Sequence, residues 1–403
     1  MLESLSRGDF VAPFPFFEQP AMTPAPRSTT YYWKCDRPAA FHGTAERARD
    51  RTGLEGPLAD VLRKTFPGSE VTIAAVATQG NHLTFTARFD GARTSDGRGP
   101  NAGDVLFVRV DDGPERDDYI EVESQLLAAV RALGVPAPRV YAVDASRREV
   151  PFAWQVMDRI DAPDLNKLLK EGRLDLPLVA EQIGAAVARW QSVETVGFGP
   201  FDPAVLRESQ RRGESGRLQG FHARYADYFQ LHLARHLHYL VAKNFLTLAE
   251  SAAIGRAVAE HRDLLELKSS CLVHKDLALW NILGTPTTIA AVIDWDDAIG
   301  GDPLDDLSLL ACFHDAPTLA RAVAGYETVR PLPGDFRRRF WLHLLRNMLF
   351  KAVIRVGAGY FDRTDNFFLI GTGSTGQSLR DFTHERLTKS LAALHDDAPL
   401  STL

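Results

Sequence analysis

Two neighbouring stretches constrain this chain most, LVHKDLALWNILG at 272–284 and AAVIDWDDAIGGDPLDDLSLL at 290–310. In the first, an apolar run leads directly into His274, Lys275 and Asp276, and Leu277, Leu279, Trp280, Ile282 and Leu283 follow among the polar groups. A buried strand does not carry three charged or polar residues in a row, and a free surface loop does not carry so much apolar material. The pattern describes a polar turn clamped by packing, holding a carboxylate (Asp276) and a carboxamide (Asn281) in fixed places. In the second stretch Asp294 ends an apolar run, so a rigid strand delivers its carboxylate to the mouth of a cleft. Such oxygen-only ligands suit Mg²⁺, which usually takes one or two protein groups together with phosphate oxygens and water. Asn281 and Asp294 fit that role, and Asp276, five residues before Asn281, is left to accept a proton. Phosphoryl transfer asks little more of a protein than positioning and charge neutralisation.

At 403 residues the chain is too long for one compact core, and two lobes are expected. Residues 1–30 hold Pro13, Pro15, Pro20, Pro24 and Pro26 among scattered aromatics, without a helical or strand period. They read as an extended leader whose removal leaves the core folded, within an N-terminal extension, partly disordered, that spans residues 1–55. Residues 56–160 read as a small lobe. In it LADVLRKTF (58–66) has the spacing of a short amphipathic helix, and YIEVESQLLAAVRALG (119–134) is a helix closed by Gly134. The runs VTIAAVA (71–77), HLTFTARF (82–89), VLFVRV (105–110) and PFAWQVMDRI (151–160) read as strands, with VPAPRVYAVD as extended chain. Residues 161–403 are mainly helical, over 175–193, 220–243, 247–268, 304–313, 316–328, 335–357 and 376–395, with short strands around 271–294. A small β-rich lobe before a larger helical one places the ligand site between them.

H-x-D-x-x-x-x-N followed by a strand-borne Asp is a kinase catalytic pattern. Through LVHKDLALWNIL and VIDWDDAIGGDPLDDL, in this order and at this spacing, the sequence resembles the aminoglycoside phosphotransferase-like family of small-molecule kinases. The resemblance implies an α+β, two-lobed protein-kinase-like fold, with a small antiparallel nucleotide-binding lobe and a larger, mainly helical catalytic and acceptor-binding lobe. It implies that Asp276 is the catalytic base, that Asn281 and Asp294 hold Mg²⁺, that Asp306 steadies the catalytic loop and that His274 is structural. Arg109 in VLFVRV falls where such kinases contact the α- and β-phosphates, and Glu123 falls where a helix glutamate pairs with that residue. An arginine there keeps its charge and makes forked contacts. Met157, in QVMDRI, lies on the strand that would offer backbone groups to adenine, and Gly80, in TQGNH, on the turn that would cover the phosphates. The implied co-substrate is ATP or GTP and the acceptor a hydroxyl of a small molecule.

Other features exclude or narrow. The net charge of −6, without a basic block, gives no reason to bind nucleic acid. No run approaches the length of a membrane span, and the N-terminus lacks the pattern of a signal peptide. Cys35, Cys271 and Cys312 are far apart, which fits a reducing, cytoplasmic setting better than disulfides or zinc. A protein kinase is disfavoured, because only seven residues separate Asp294 from Asp302 and leave no activation loop. GTGSTG (371–376) matches G-x-G-x-x-G but leaves no room for the following strand, and reads as an interhelical loop. His232 and His236 are one helical turn apart without a third ligand, and read as a partly buried helix face. Trp280 and Trp295 read as packing groups. The segment 204–243, taken as a wall of the acceptor pocket, carries more Arg and His than acids, together with Tyr225, Tyr228 and Phe229. It points away from a polycationic acceptor. The competing reading is a nucleotide-binding pseudo-enzyme or regulatory module, which predicts loss of the base or a metal ligand; none is lost.

Overall fold

The computed structural model of the protein describes residues 27–36, 53–76, 83–91, 99–113, 115–364 and 375–403. A single turn, α1 (Trp33–Asp36), and the helix α2 (Glu55–Thr65) precede the first sheet. That sheet comprises β1 (Ser69–Ala75), β2 (Leu83–Gly91), β3 (Val105–Asp111), β4 (Val140–Asp144) and β5 (Ala153–Met157). Its order is β1-β2-β3-β5-β4 and every pair is antiparallel. Alternation along β2 buries Leu83, Phe85, Ala87 and Phe89 on one face, where they meet Leu58, Val61 and Leu62 of α2. The helix between β3 and β4, α3 (Tyr119–Ala132), behaves differently: Tyr119, Val122, Leu126 and Val130 join the core of the helical half. It is the wall the two lobes share. Gly134 follows it at φ 75°, as a helix stop requires.

The second half contains α4 (Leu165–Lys170), α5 (Leu176–Trp190), β6 (Phe198–Phe201), α6 (Pro203–Arg211), β7 (Gly220–His222), α7 (Tyr225–Phe229), α8 (Leu233–Ala242) and α9 (Leu248–Glu260). It continues with β8 (Cys271–Val273), β9 (Ile282–Gly284), β10 (Ile289–Val292), β11 (Ile299–Gly301), α10 (Asp305–Ala311), α11 (Ala316–Glu327), α12 (Phe336–Gly357) and α13 (Gly376–His395). β9 and β10 form a hairpin, and β7-β6-β11-β8 form a second small antiparallel sheet. β6, β7 and β11 were not expected, and the helix expected over 220–243 is broken into β7, α7 and α8. The reason is local. A Cβ on Gly220 would stand 2.4 Å from the Phe198 carbonyl oxygen, so glycine lets β7 close onto β6, and His232 breaks the helix again at φ 55°.

Within the stretch 1–30, read as a leader, Arg27–Thr30 pack against the protein: Arg27 and Thr30 are buried. The chain then carries Tyr31, Tyr32 and Cys35 into the main core. The turn Gly80 and residues 371–374 of GTGSTG lie outside the described residues. Among the described residues, no helix is long and apolar enough to cross a membrane. The three cysteines are free and buried.

Candidate active site

The loop His274–Asn281 hangs between β8 and β9, and its shape is set from below by Asp306, at the start of α10. The carboxylate of Asp306 accepts the backbone N–H groups of His274 (2.9 Å) and Lys275 (3.1 Å) and the indole N–H of Trp190 (3.0 Å). His274 is fully buried against Trp295, ring centroids 4.5 Å apart. Its Nδ1 accepts from the Asp276 N–H (3.3 Å), which leaves Nε2 protonated to donate to the Ile293 carbonyl at 2.9 Å. Burial pushes its pKa down to about 4. A neutral imidazole thus fastens the loop to the end of the β10 segment. Lys275 holds φ 68°, a left-handed conformation unusual for a residue with a side chain, and its buried ammonium donates to Asp305 (2.7 Å), Tyr31 (3.0 Å) and Asn347 (3.2 Å).

Asp276 emerges from this strained turn almost fully buried. The Asn281 amide nitrogen bonds its carbonyl (2.8 Å) and its carboxylate (3.2 Å), which leaves the Asn281 oxygen on the other side of the carboxamide. Ile293 N–H donates to the Asn281 carbonyl at 2.9 Å, so the second strand segment is registered on the first. Asp294 follows at φ 66°, again left-handed, with its side chain partly exposed to the cleft. On the small-lobe side, Arg109 of β3 binds Glu123 of α3 at 2.6 Å, and the same Glu123 oxygen reaches across to accept the Trp295 N–H at 3.0 Å. Arg109 also comes within 3.9 Å of Asp294. Arg109, Glu123, Asp276, Asn281 and Asp294 therefore form one connected constellation. Met157 closes the β3–β5 ladder opposite Phe107, two positions from Gln155, the partner of Arg109.

Two lysines that sequence reasoning did not single out complete the site. Lys34 of α1 places Nζ 2.7 Å from one Asp276 oxygen, and Lys351 of α12 places Nζ 2.8 Å from the other. Lys34 also stands 3.4 Å from Asp297 and 3.9 Å from Asp294. Burial alone would raise the pKa of Asp276, but Lys34 and Lys351 hold it well below the usual carboxylate range. For Asp294 the balance is reversed: burial and the neighbouring Asp296 push its carboxyl up, against Lys34 and Arg109. Lys351 left a readable sign, a lysine inside the apolar run MLFKAVI. Lys34 left only its aromatic company in YYWKCD.

Among the described residues no group of three or more His, Cys, Asp or Glu is placed to hold a metal ion. An Asp carboxylate and a carboxamide oxygen on one rim of the cleft are a different kind of set. They would supply two hard oxygen ligands and leave the remaining positions to phosphate and water, the way Mg²⁺ is usually held.

Part of the Arg and His surplus of 204–243 is engaged away from this site. Arg207 pairs with Asp118 and Glu121 of the α3 region, Arg224 with its neighbour Asp227, and Arg235 and buried His236 with Asp36. His236 is a buried partner of a carboxylate and not half of a metal pair, while His232 bonds the Thr29 carbonyl.

A profile of the phosphotransferase enzyme family matches residues 93–341. The chain belongs to that family. As a phosphotransferase it is a small-molecule kinase, and its two lobes are those of the protein-kinase-like fold. Comparison with curated proteins found no match. Among solved structures it is similar to a protein from Thermobifida fusca provisionally named a fructosamine-3-kinase, at 21% identity and a TM-score of 0.53, covering 82% of this chain and 98% of that one. A thermostable mutant of an aminoglycoside phosphotransferase matches at 19% identity and 0.53, covering 84% and 98%. A provisionally named aminoglycoside phosphotransferase from Ralstonia eutropha matches at 16% and 0.54, covering 85% and 98%. At these identities the structural likeness speaks for the fold.

Proposed function

We propose that this phosphotransferase moves the γ-phosphoryl group of ATP to a hydroxyl of a small molecule, with Asp276 as the base and Asn281 and Asp294 as the metal ligands. The observation that carries the reading is the connected constellation: Asp276 bonded to Asn281, and Asp294 tied through Trp295 and Arg109 to Glu123 of the opposite lobe. In the reaction the bond between the γ-phosphorus and the bridging oxygen of ATP breaks, and a bond from phosphorus to the acceptor oxygen forms. The acceptor's proton goes to the Asp276 carboxylate and ADP leaves. Lys34 and Lys351 keep that carboxylate ionised, so it offers an oxygen to orient the acceptor hydroxyl. A loose transition state needs little base strength until the new bond is well advanced. Arg109, held by Glu123, faces the side of the cleft where the α- and β-phosphates would lie. Mg²⁺, when bound with the nucleotide, supplies charge neutralisation between the phosphates.

ADP formation from ATP and Mg²⁺ across a panel of hydroxylated metabolites and antibiotics tests the reading. A substrate phosphorylated by the native chain and not by Asp276→Asn supports it. Nucleotide binding without phosphorylation of any acceptor would favour the pseudo-enzyme.

A further inference from the structure

We infer that Lys34, supplied by the segment before the small lobe, is a further catalytic residue whose ammonium contacts the γ-phosphoryl group in transit. The inference rests on the phosphotransferase reading above. Lys34 Nζ is 2.7 Å from Asp276 and 3.9 Å from Asp294. With the nucleotide's metal held at Asp294 and the acceptor hydroxyl at Asp276, the group in transit would lie between those two carboxylates, beside this ammonium.

The rest of the site has few cations to offer there. From Leu277 to Ile293 the sequence contains no Lys or Arg. Lys275 is buried on Asp305, and Arg109 is committed to Glu123 at 2.6 Å. Lys351 lies on the far oxygen of Asp276 and is the less exposed of the two lysines, with 9% of its side chain accessible against 19% for Lys34. Positioned charge aimed at a transferring phosphoryl group is a large part of what such a site provides.

The alternative is that Lys34 belongs to a plug that blocks the cleft and is displaced by substrate. The anchoring argues against it. Tyr31 stacks on Tyr228 and Tyr32 on Phe350, centroids 5.1 and 4.3 Å apart. The Tyr31 carbonyl accepts from Tyr228 at 2.7 Å, and Asp36 accepts the N–H groups of Tyr31 (2.9 Å) and Tyr32 (3.0 Å). Asp36 is itself held by Arg235 and His236, and at the other end Arg27 binds Asp117 and the Asp296 carbonyl. Tied at both ends and buried in the middle, the segment is built into the protein, and the Lys34 side chain keeps partial exposure at the site.

The test uses the full chain with Lys34→Met, which keeps the length and removes the charge, and Lys34→Arg, which restores charge. Binding of ADP and of the non-hydrolysable triphosphate AMP-PNP, each with Mg²⁺, is measured by calorimetry. Lys34→Met should lose about tenfold in AMP-PNP affinity with ADP affinity unchanged, and its turnover should fall about 10²- to 10³-fold. Lys34→Arg should recover part of both. In the native chain AMP-PNP should shield Lys34 from amine acylation about tenfold better than ADP does, a readout that needs no variant to fold. Equal effects on ADP and AMP-PNP, unchanged turnover, or tighter binding and faster turnover in Lys34→Met, as a plug requires, would each overturn the assignment. A native chain that binds both nucleotides yet phosphorylates no acceptor overturns the phosphotransferase reading instead; selective AMP-PNP loss in Lys34→Met then still places Lys34 at the γ-phosphate.

Discussion

At the residue scale, three polar side chains within one small volume are assigned two kinds of work, one base and two metal ligands, and substitution separates them. Asp276→Asn keeps the shape and removes the proton acceptor. General-base help is worth about 10²- to 10⁴-fold in rate, so turnover should fall by that order while ATP–Mg²⁺ affinity holds. Asp294→Asn removes a charged ligand and should weaken Mg²⁺-dependent nucleotide binding as well as turnover. Asn281→Ala should act in the same direction but less, because a neutral ligand contributes less charge to the cation. ATP titration with and without Mg²⁺ on the three variants distinguishes them; equal binding losses would mean one shared structural role. The motif spacing made these residues legible, together with Asp306 and the structural part of His274. The backbone strain at Lys275 and Asp294, φ 68° and 66°, was not legible, since nothing local marks those residues as left-handed. Nor were the pairings of Lys34 and Lys351, which reach Asp276 from 242 and 75 residues away, although Lys351 stands out inside its apolar run. Such pairings are properties of the assembled fold.

At the scale of elements, hydrophobic period located the longer helices and the small-lobe strands, missed the short α1, α4 and α6, and failed where close backbone contact decided the outcome. β6 and β7 are short, and Gly220 rather than any alternation lets them pair. The same kind of contact joins α5 and α11. A Cβ on Gly184 would stand 1.7 Å from the Ala322 carbonyl oxygen, and one on Gly325 1.9 Å from that of Glu181. Neither neighbour is a flexible side-chain tip, so the helices would have to separate. Gly184→Ala and Gly325→Ala should each destabilise by about 3 kcal/mol or more, read as a fall in the denaturant midpoint. Residues 31–36 lie beyond the proline-marked stretch 1–30 and carry a separate expectation. Removing residues 1–36 takes away buried Tyr31 and Tyr32, and deleting a buried aromatic side chain costs about 3–5 kcal/mol. Against a total stability of about 5–15 kcal/mol, the truncated chain should lose its cooperative melt or melt far lower. An unchanged melt would make the segment a detachable cover.

At the scale of the whole molecule, the buried histidines couple the fold to pH. His314 is held to a pKa of about 4, chiefly by burial, with Arg386 acting in the same direction and Asp315 opposing. In the unfolded chain an ordinary histidine titrates near 6.5, so between about pH 6.5 and 4 the unfolded state binds the extra proton and the folded state does not. The contribution of His314 is therefore fully present above that window and is lost as the pH falls through it. Other groups run the opposite way over the same range: burial raises Asp297 to about 6 and Asp306 to about 7, so their folded forms take up protons first. Asp302 stays out of the window, because His343 and Arg339 overcome its burial and hold it at about 2. The melting curve of the native chain alone would mix these terms. The difference between His314→Leu and the native chain isolates one of them. Whatever offset the substitution produces at pH 7.5, the variant should gain on the native chain by about 3 kcal/mol as the pH is lowered toward 4.5. Chemical denaturation of both proteins at matched pH values reads that difference directly. A constant offset across the range would mean that His314 titrates alike in the folded and unfolded states, and that its burial does not hold it neutral.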